Sequence, residues 1–108
     1  MSFKMRIKKL KGHPVLEIRG ELTGDQIAKV TTKLDGLLKG NAQTIVVDLG
    51  NTTFIDSHGL GVFVYCWRLL EQDNRRLVFL NPQGFIRSMF IGTNLDKIFP
   101  IVDSDEEL

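Results

Sequence analysis

The chain has 108 residues, 43% hydrophobic and 25% charged, enough for one compact domain over residues 1–108 with a real core; this excludes a disordered or collagen-like chain. Fourteen Lys plus Arg against thirteen Asp plus Glu leave a net charge of +1, too small to draw the whole molecule onto nucleic acid or anionic lipid. A single cysteine, Cys66, excludes an internal disulfide and a multi-cysteine zinc site, and with no apolar run after Met1 the chain reads as cytoplasmic, without signal peptide or membrane span.

Charge is uneven along the chain: Lys4, Arg6, Lys8, Lys9 and Lys11 crowd the start, and Asp103, Asp105, Glu106 and Glu107 the end. The basic segment alternates, with Phe3, Met5 and Ile7 on one face and Lys4, Arg6 and Lys8 on the other, as in a half-buried strand. No aromatic residues are interleaved with its charges, so a solvated strand face is favoured over a nucleic-acid patch. Gly12-His13-Pro14 interrupts the pattern, with His13 read as a turn residue, and Val15 to Arg19 resumes it, predicting an opening hairpin.

Thr23-Gly24-Asp25-Gln26 reads as a capping box, followed by Ile27, Val30, Leu34, Leu37 and Leu38 at helical spacing as far as Gly40. Thr44 to Leu49, with Ile45-Val46-Val47, predicts a central strand buried on both faces, ended by a polar turn at Gly50-Asn51-Thr52. Asp56 or Ser57 can cap a helix running to about Gln72, and Arg76 to Leu80 is the next strand. Asn81-Pro82 supplies a cap and first-turn proline for a third helix with the stripe Phe85, Ile86, Met89 and Phe90, stopped by Gly92. Ile98 to Val102 reads as a closing strand and the acidic end as a frayed terminus. The order β-β-α-β-α-β-α-β defines an α/β domain with a mixed, mostly parallel sheet of about five strands, in which Val46, Val47, Leu49, Trp67 and Phe79 are expected to be buried.

Several catalytic motifs fail on spacing. Ser57-His58-Gly59 half matches G-x-S-x-G, but Ile55 replaces the first glycine and the chain is too short for that hydrolase fold. Asp56, Ser57 and His58 are triad residue types, yet chain neighbours point apart and cannot form a relay. Gly59-Leu60-Gly61 lacks a third glycine, Lys39-Gly40 is no phosphate loop, and His13, His58 and Cys66 stand singly without metal-ligand spacing. No catalytic residue, metal or cofactor is expected. The helix after Gly59 carries two apolar rows: Leu60, Phe63, Trp67 and Leu70, and beside it Val62, Tyr65 and Leu69. One row suffices for a core, so the second is either buried as well or part of a binding surface.

Phe54-Ile55-Asp56-Ser57-His58-Gly59-Leu60-Gly61 resembles the signature of the STAS domain, specifically the stand-alone bacterial anti-sigma factor antagonists. Gly20-Glu21-Leu22-Thr23 resembles that family's turn after the second strand, Val46-Val47-Asp48-Leu49 its central strand, and Leu95-Asp96-Lys97-Ile98-Phe99 its closing segment, so the likeness covers nearly the whole chain. It implies a non-enzymatic switch that binds an anti-sigma factor, often a histidine-kinase-like ATPase, to release a sigma factor, with Asp56, Ser57, His58, Gly61, Val62 and Tyr65 facing the partner. It also implies phosphorylation of a hydroxyl just before the glycine, and here that position is His58, with Ser57 the alternative hydroxyl one residue earlier. Ser57 could itself be turned inward as the helix cap, which would make it a poor acceptor. Thr23 stands where many members have Asp. Two further functions follow from the same residues: an accessory or scaffold STAS subunit of a signalling assembly or lipid transporter, and a phosphoryl carrier using His58.

Overall fold

A computed structural model describes residues 3–108. The basic alternating segment forms β1 (Lys4–Leu10) and turns back through Lys11 and Gly12, both at positive φ, into β2 (His13–Leu22). Two such residues give the twist a tight hairpin needs. His13 is therefore the first residue of β2, opposite Leu10, rather than part of the turn.

The amphipathic segment forms α1 (Asp25–Lys39), but the Thr23 capping box is absent: Gly24 at φ 55° is the N-cap, with no side-chain cap, and the Thr23 carbonyl accepts from the Gln26 N–H at 3.1 Å. The expected polar turn at Gly50 is absent too, because β3 runs unbroken over Thr44–Ile55. Its polar residues are accommodated by a register slip against β2, where Thr52 Oγ1 donates to the Ile18 carbonyl at 2.7 Å and the Gly50 N–H donates to Asp48 Oδ1 at 3.0 Å. Such irregularities let a strand continue while redirecting its end; here they aim β3 at the start of α2 (Ser57–Gln72).

β4 (Arg76–Leu80) forms as expected, whereas α3 (Gly84–Gly92) starts late: Asn81, at φ 57°, donates its N–H to the Val102 carbonyl, and Gln83 is the N-cap. The closing strand β5 is only Ile101–Val102, since a 3₁₀ turn over Leu95–Lys97 carries on through Ile98 and Phe99, whose N–H groups both donate to the Leu95 carbonyl. The acidic end is ordered rather than frayed: Ser104 and Glu107 form a capping box around Asp105–Glu107, and Lys11 Nζ donates to the Glu106 carbonyl at 3.0 Å.

The strands lie in the order β1-β2-β3-β4-β5, antiparallel only between β1 and β2, which is the mixed, mostly parallel five-stranded sheet expected. All three helices contribute to one core on one face of the sheet, with Val30 and Leu34 of α1, Phe63 and Cys66 of α2 and Phe90 of α3 packing with Leu16, Val47 and Phe79. Phe79 is its aromatic centre, 5.2 Å from Phe63, 5.5 Å from Phe90 and 4.4 Å from Phe99. The opposite face buries Val15, Val46, Val78 and Leu80 under Leu10, Val102 and Leu108. Val46, Val47, Leu49 and Phe79 are buried as expected, but Trp67 is only half-buried. Cys66 points inward in its place, because the buried stripe is Gly59, Phe63, Cys66 and Leu70, while Trp67 lies at the flank, 6.2 Å from Phe99. Burial first, and the charge of Asp35 second, push the Cys66 thiol up to about 11, so it is no nucleophile.

Beyond the apolar cluster, the helix-free face carries charge. Glu17 is buried there, with Arg6 Nε 2.6 Å from Oε1 and Lys8 and Arg19 at 3.7 and 3.6 Å from Oε2. Burial alone would raise its pKa, but the Arg6 hydrogen bond and the three cations together hold the carboxyl below its ordinary 4.5. A depressed carboxylate contributes stability above its unfolded pKa, and that contribution is lost as pH falls through the folded value. Glu17→Gln should therefore be less stable than the native protein at neutral pH, with the difference shrinking as pH drops below 4.5. Urea midpoints across that range measure it, and a constant difference would contradict the assignment.

Candidate functional site at the start of α2

β3 ends at Ile55 and the chain enters α2 through Asp56, whose extended backbone makes it the N-cap. Asp56 Oδ1 accepts the Gly59 N–H at 2.8 Å, satisfying one of the helix's free amides, and its own N–H donates to the Leu22 carbonyl at 3.3 Å. The cap thus ties the helix start to the end of β2. Of the two capping candidates, Asp56 does the capping; Ser57 is the first helical residue, exposed, and its hydroxyl is not engaged as a cap.

Gly59 is buried because the helix start presses against the sheet: a Cβ there would lie 3.0 Å from Ile55 Cγ2 and 3.3 Å from Leu22 Cγ. That close approach fixes the rotation of α2. Ser57, His58, Gly61 and Tyr65 are exposed, Tyr65 by 59%, and a Cβ on Gly61 would meet open space. Their spacing puts them along one side of the helix, which continues to Arg68 and Leu69, also exposed. Val62 differs from its expected neighbours in being half-buried and packed against the main core. Among the described residues, Asp56, Ser57 and His58 are not hydrogen-bonded to one another, so no nucleophile-base relay links them.

One feature of this region escaped the sequence: Phe54, two residues before Asp56, stacks on Phe85 at the start of α3, with ring centroids 5.1 Å apart and planes at 17°. Both rings are partly exposed, at 37% and 50%. Phe85 belongs to the apolar stripe expected of α3, but Ile86 and Phe90 are that stripe's buried members. A shallow groove of about 350 Å³ runs beside the pair, lined by Gly50 to Thr53, Gln83 and Gly84.

A mixed sheet covered by helices on one face, with an Asp-capped helix start left open to solvent, defines a small α/β domain of the STAS type. Residues 5–103 match the family model described as "Mlab, STAS domain", and the chain belongs to the STAS domain family. It is similar to an anti-sigma F factor antagonist of Paenibacillus polymyxa, 24% identical over 106 residues, covering 97% of this chain and 91% of that protein. The anti-sigma factor antagonist SpoIIAA in its unphosphorylated form is 25% identical with a TM-score of 0.72, covering 98% of this chain and 92% of that one; a Bacillus SpoIIAA in the phosphorylated form shares the fold at a TM-score of 0.72 and 23% identity, over 98% and 96% of the two chains. An anti-sigma factor antagonist from Mycobacterium paratuberculosis shares the fold at a TM-score of 0.86 and 20% identity, over 98% and 90% of the two chains.

Proposed function

We propose that this protein is an anti-sigma factor antagonist: a non-catalytic cytoplasmic module that binds an anti-sigma factor of the histidine-kinase-like ATPase type and thereby frees a sigma factor. The observation that carries this reading is the row of Ser57, His58, Gly61 and Tyr65, exposed on a helix whose start is fixed by the Asp56 cap, in a chain similar to such antagonists over nearly its whole length. Asp56 positions the turn, and the others meet the partner, with Val62 contributing its outer edge. The start of a helix also carries partial positive charge, so it accepts an acidic group from a partner.

Gly61→Arg tests the surface without touching the core. Its Cβ enters open space, and replacing a mid-helix glycine by arginine should raise stability by up to about 1 kcal/mol. Complex formation with the ATPase recovered from the native host, identified by mass spectrometry, should fall at least about tenfold, since a long charged side chain then stands in the middle of the docking row. Unchanged binding by a well-folded Gly61→Arg protein would move the interface elsewhere. A second reading, an accessory subunit of a signalling assembly or lipid transporter, is favoured by one observation, the imidazole of His58 where the family's phosphorylated hydroxyl stands; recovery of transporter or scaffold subunits in the same experiment would support it.

A further inference from the structure

Among the described residues, the outer edge of β1 has no partner strand: β1 pairs with β2 alone, and no backbone hydrogen bond outside that ladder involves residues 4 to 10. A free edge presents a row of N–H and C=O groups at strand spacing, which only another extended polypeptide can match. Alternation divides the side chains above and below that row. Met5 is half-buried and Ile7 is 45% exposed on the helix side of the sheet, while Lys4, Arg6 and Lys8 lie on the helix-free side.

The helix-free side is cationic at the start of β1. Register puts Lys4 opposite Arg19, Arg6 opposite Glu17, and Glu17 beside Asp48, so around Lys4, Arg6, Lys8 and Arg19 four cations share two acids, while Asp103 and Asp105 lie beyond Lys8 and Asp48 at the other end of the strand. Both acids are already engaged: Glu17 with Arg6, Lys8 and Arg19, and Asp48 with Lys8 at 3.0 Å. Among the described residues Lys4 makes no ion pair, and only Nε of Arg6 is used, leaving the rest of an exposed guanidinium fork open. A hollow of about 440 Å³ opens between Lys4, Met5, Arg6 and Arg19.

We infer that the edge of β1 is a second interaction site, which takes an extended segment of a partner protein with acidic residues alternating with apolar ones. Acidic side chains would sit opposite Lys4, Arg6 and Lys8, and apolar ones opposite Met5 and Ile7. A second copy of this chain fits poorly, because β1 against β1 sets cation against cation when the two sheets share faces, and a one-residue slip sets the cations against Met5 and Ile7 instead. Nucleic acid and lipid headgroups supply anions but no backbone ladder for the edge, and the cations carry no interleaved ring for bases to stack on. The site is independent of the α2 surface, so either can fail alone.

The test uses the whole protein and three synthetic peptides as long as β1: one alternating Glu and Val, one with Glu and Val in pairs, and one alternating Lys and Val. Amide chemical shifts and hydrogen exchange are followed by NMR. The alternating acidic peptide should slow exchange at every second amide of β1, those not bonded to β2, and the other two peptides should not. Lys4→Glu, which breaks no ion pair, should weaken that binding about tenfold, and Gly61→Arg should leave it unchanged. No protection in β1, equal binding of the paired peptide, or equal occupancy of the same residues by a single-stranded oligonucleotide or anionic vesicles would overturn the inference.

Discussion

Val47→Asp is expected to yield no folded protein. Val47 is fully buried in the middle of β3, between Leu16 of β2 and Phe79 of β4, in the core under the three helices. A carboxylate there would have no cation or hydrogen-bond donor within its apolar surroundings, a cost of several kcal/mol against a total stability of about 5 to 15 kcal/mol for a domain. The adjacent residue explains why the position matters more than the residue type. Asp48 is tolerated one step along the same strand because alternation turns it to the other face, where Lys8 Nζ lies 3.0 Å from Oδ2 and the Gly50 N–H meets Oδ1. Val47→Ala, which only leaves a small cavity, should stay folded while losing about 2 kcal/mol. Circular dichroism and urea titration of the two variants check the contrast, and a native spectrum from Val47→Asp would mean that β3 presents its other face to the core.

What the sequence disclosed was periodicity; what it hid was backbone detail. The hairpin, α1, α2 and β4 could be read because alternation or helical spacing persists through each. The ends of elements depended on single hydrogen bonds that no pattern records: the Thr52 hydroxyl on Ile18 keeps β3 going through a polar stretch, and Asn81 bonded to Val102 delays α3. In α2, Cys66 and Trp67 are chain neighbours about 100° apart around the axis, so helical spacing admits either beside Phe63 and Leu70, and the row containing Trp67 has the larger apolar side chain. The contact of Gly59 with Ile55 and Leu22 turns Cys66 inward instead, a residue in neither of the two expected rows. That same contact turned Ser57, His58, Gly61 and Tyr65 outward, a surface legible in advance through the family signature rather than through hydropathy. The Phe54 and Phe85 stack joins elements 31 positions apart in the numbering (54 to 85), and nothing local in the sequence announces it.

His58→Ser is expected to create a phosphorylation off-switch at position 58. Position 58 is the second residue of α2, exposed, beyond the Asp56 cap and one turn before Gly61. A phosphoserine there would add about −1.5 to −2 charges at a helix N-terminus, a location that favours negative charge, so the fold would be unharmed while the proposed docking row becomes strongly acidic. The native imidazole cannot form a serine-type ester. Ser57 does have an exposed hydroxyl, since Asp56 rather than Ser57 serves as the cap, so burial would not keep a kinase from it. The expectation that position 58 is preferred rests on direction: successive helical residues point about 100° apart, so a kinase that presents its phosphate to position 58 would meet the Ser57 hydroxyl from the side. Incubation with the cognate kinase and ATP, followed by intact-mass measurement, should add one phosphate to His58→Ser and none to the native protein or to Ser57→Ala. The phosphorylated His58→Ser protein should also lose its partner, whereas the unphosphorylated variant keeps it. Phosphate on the native protein that disappears in Ser57→Ala would instead make Ser57 the acceptor, and the switch would then be displaced by one residue and not lost.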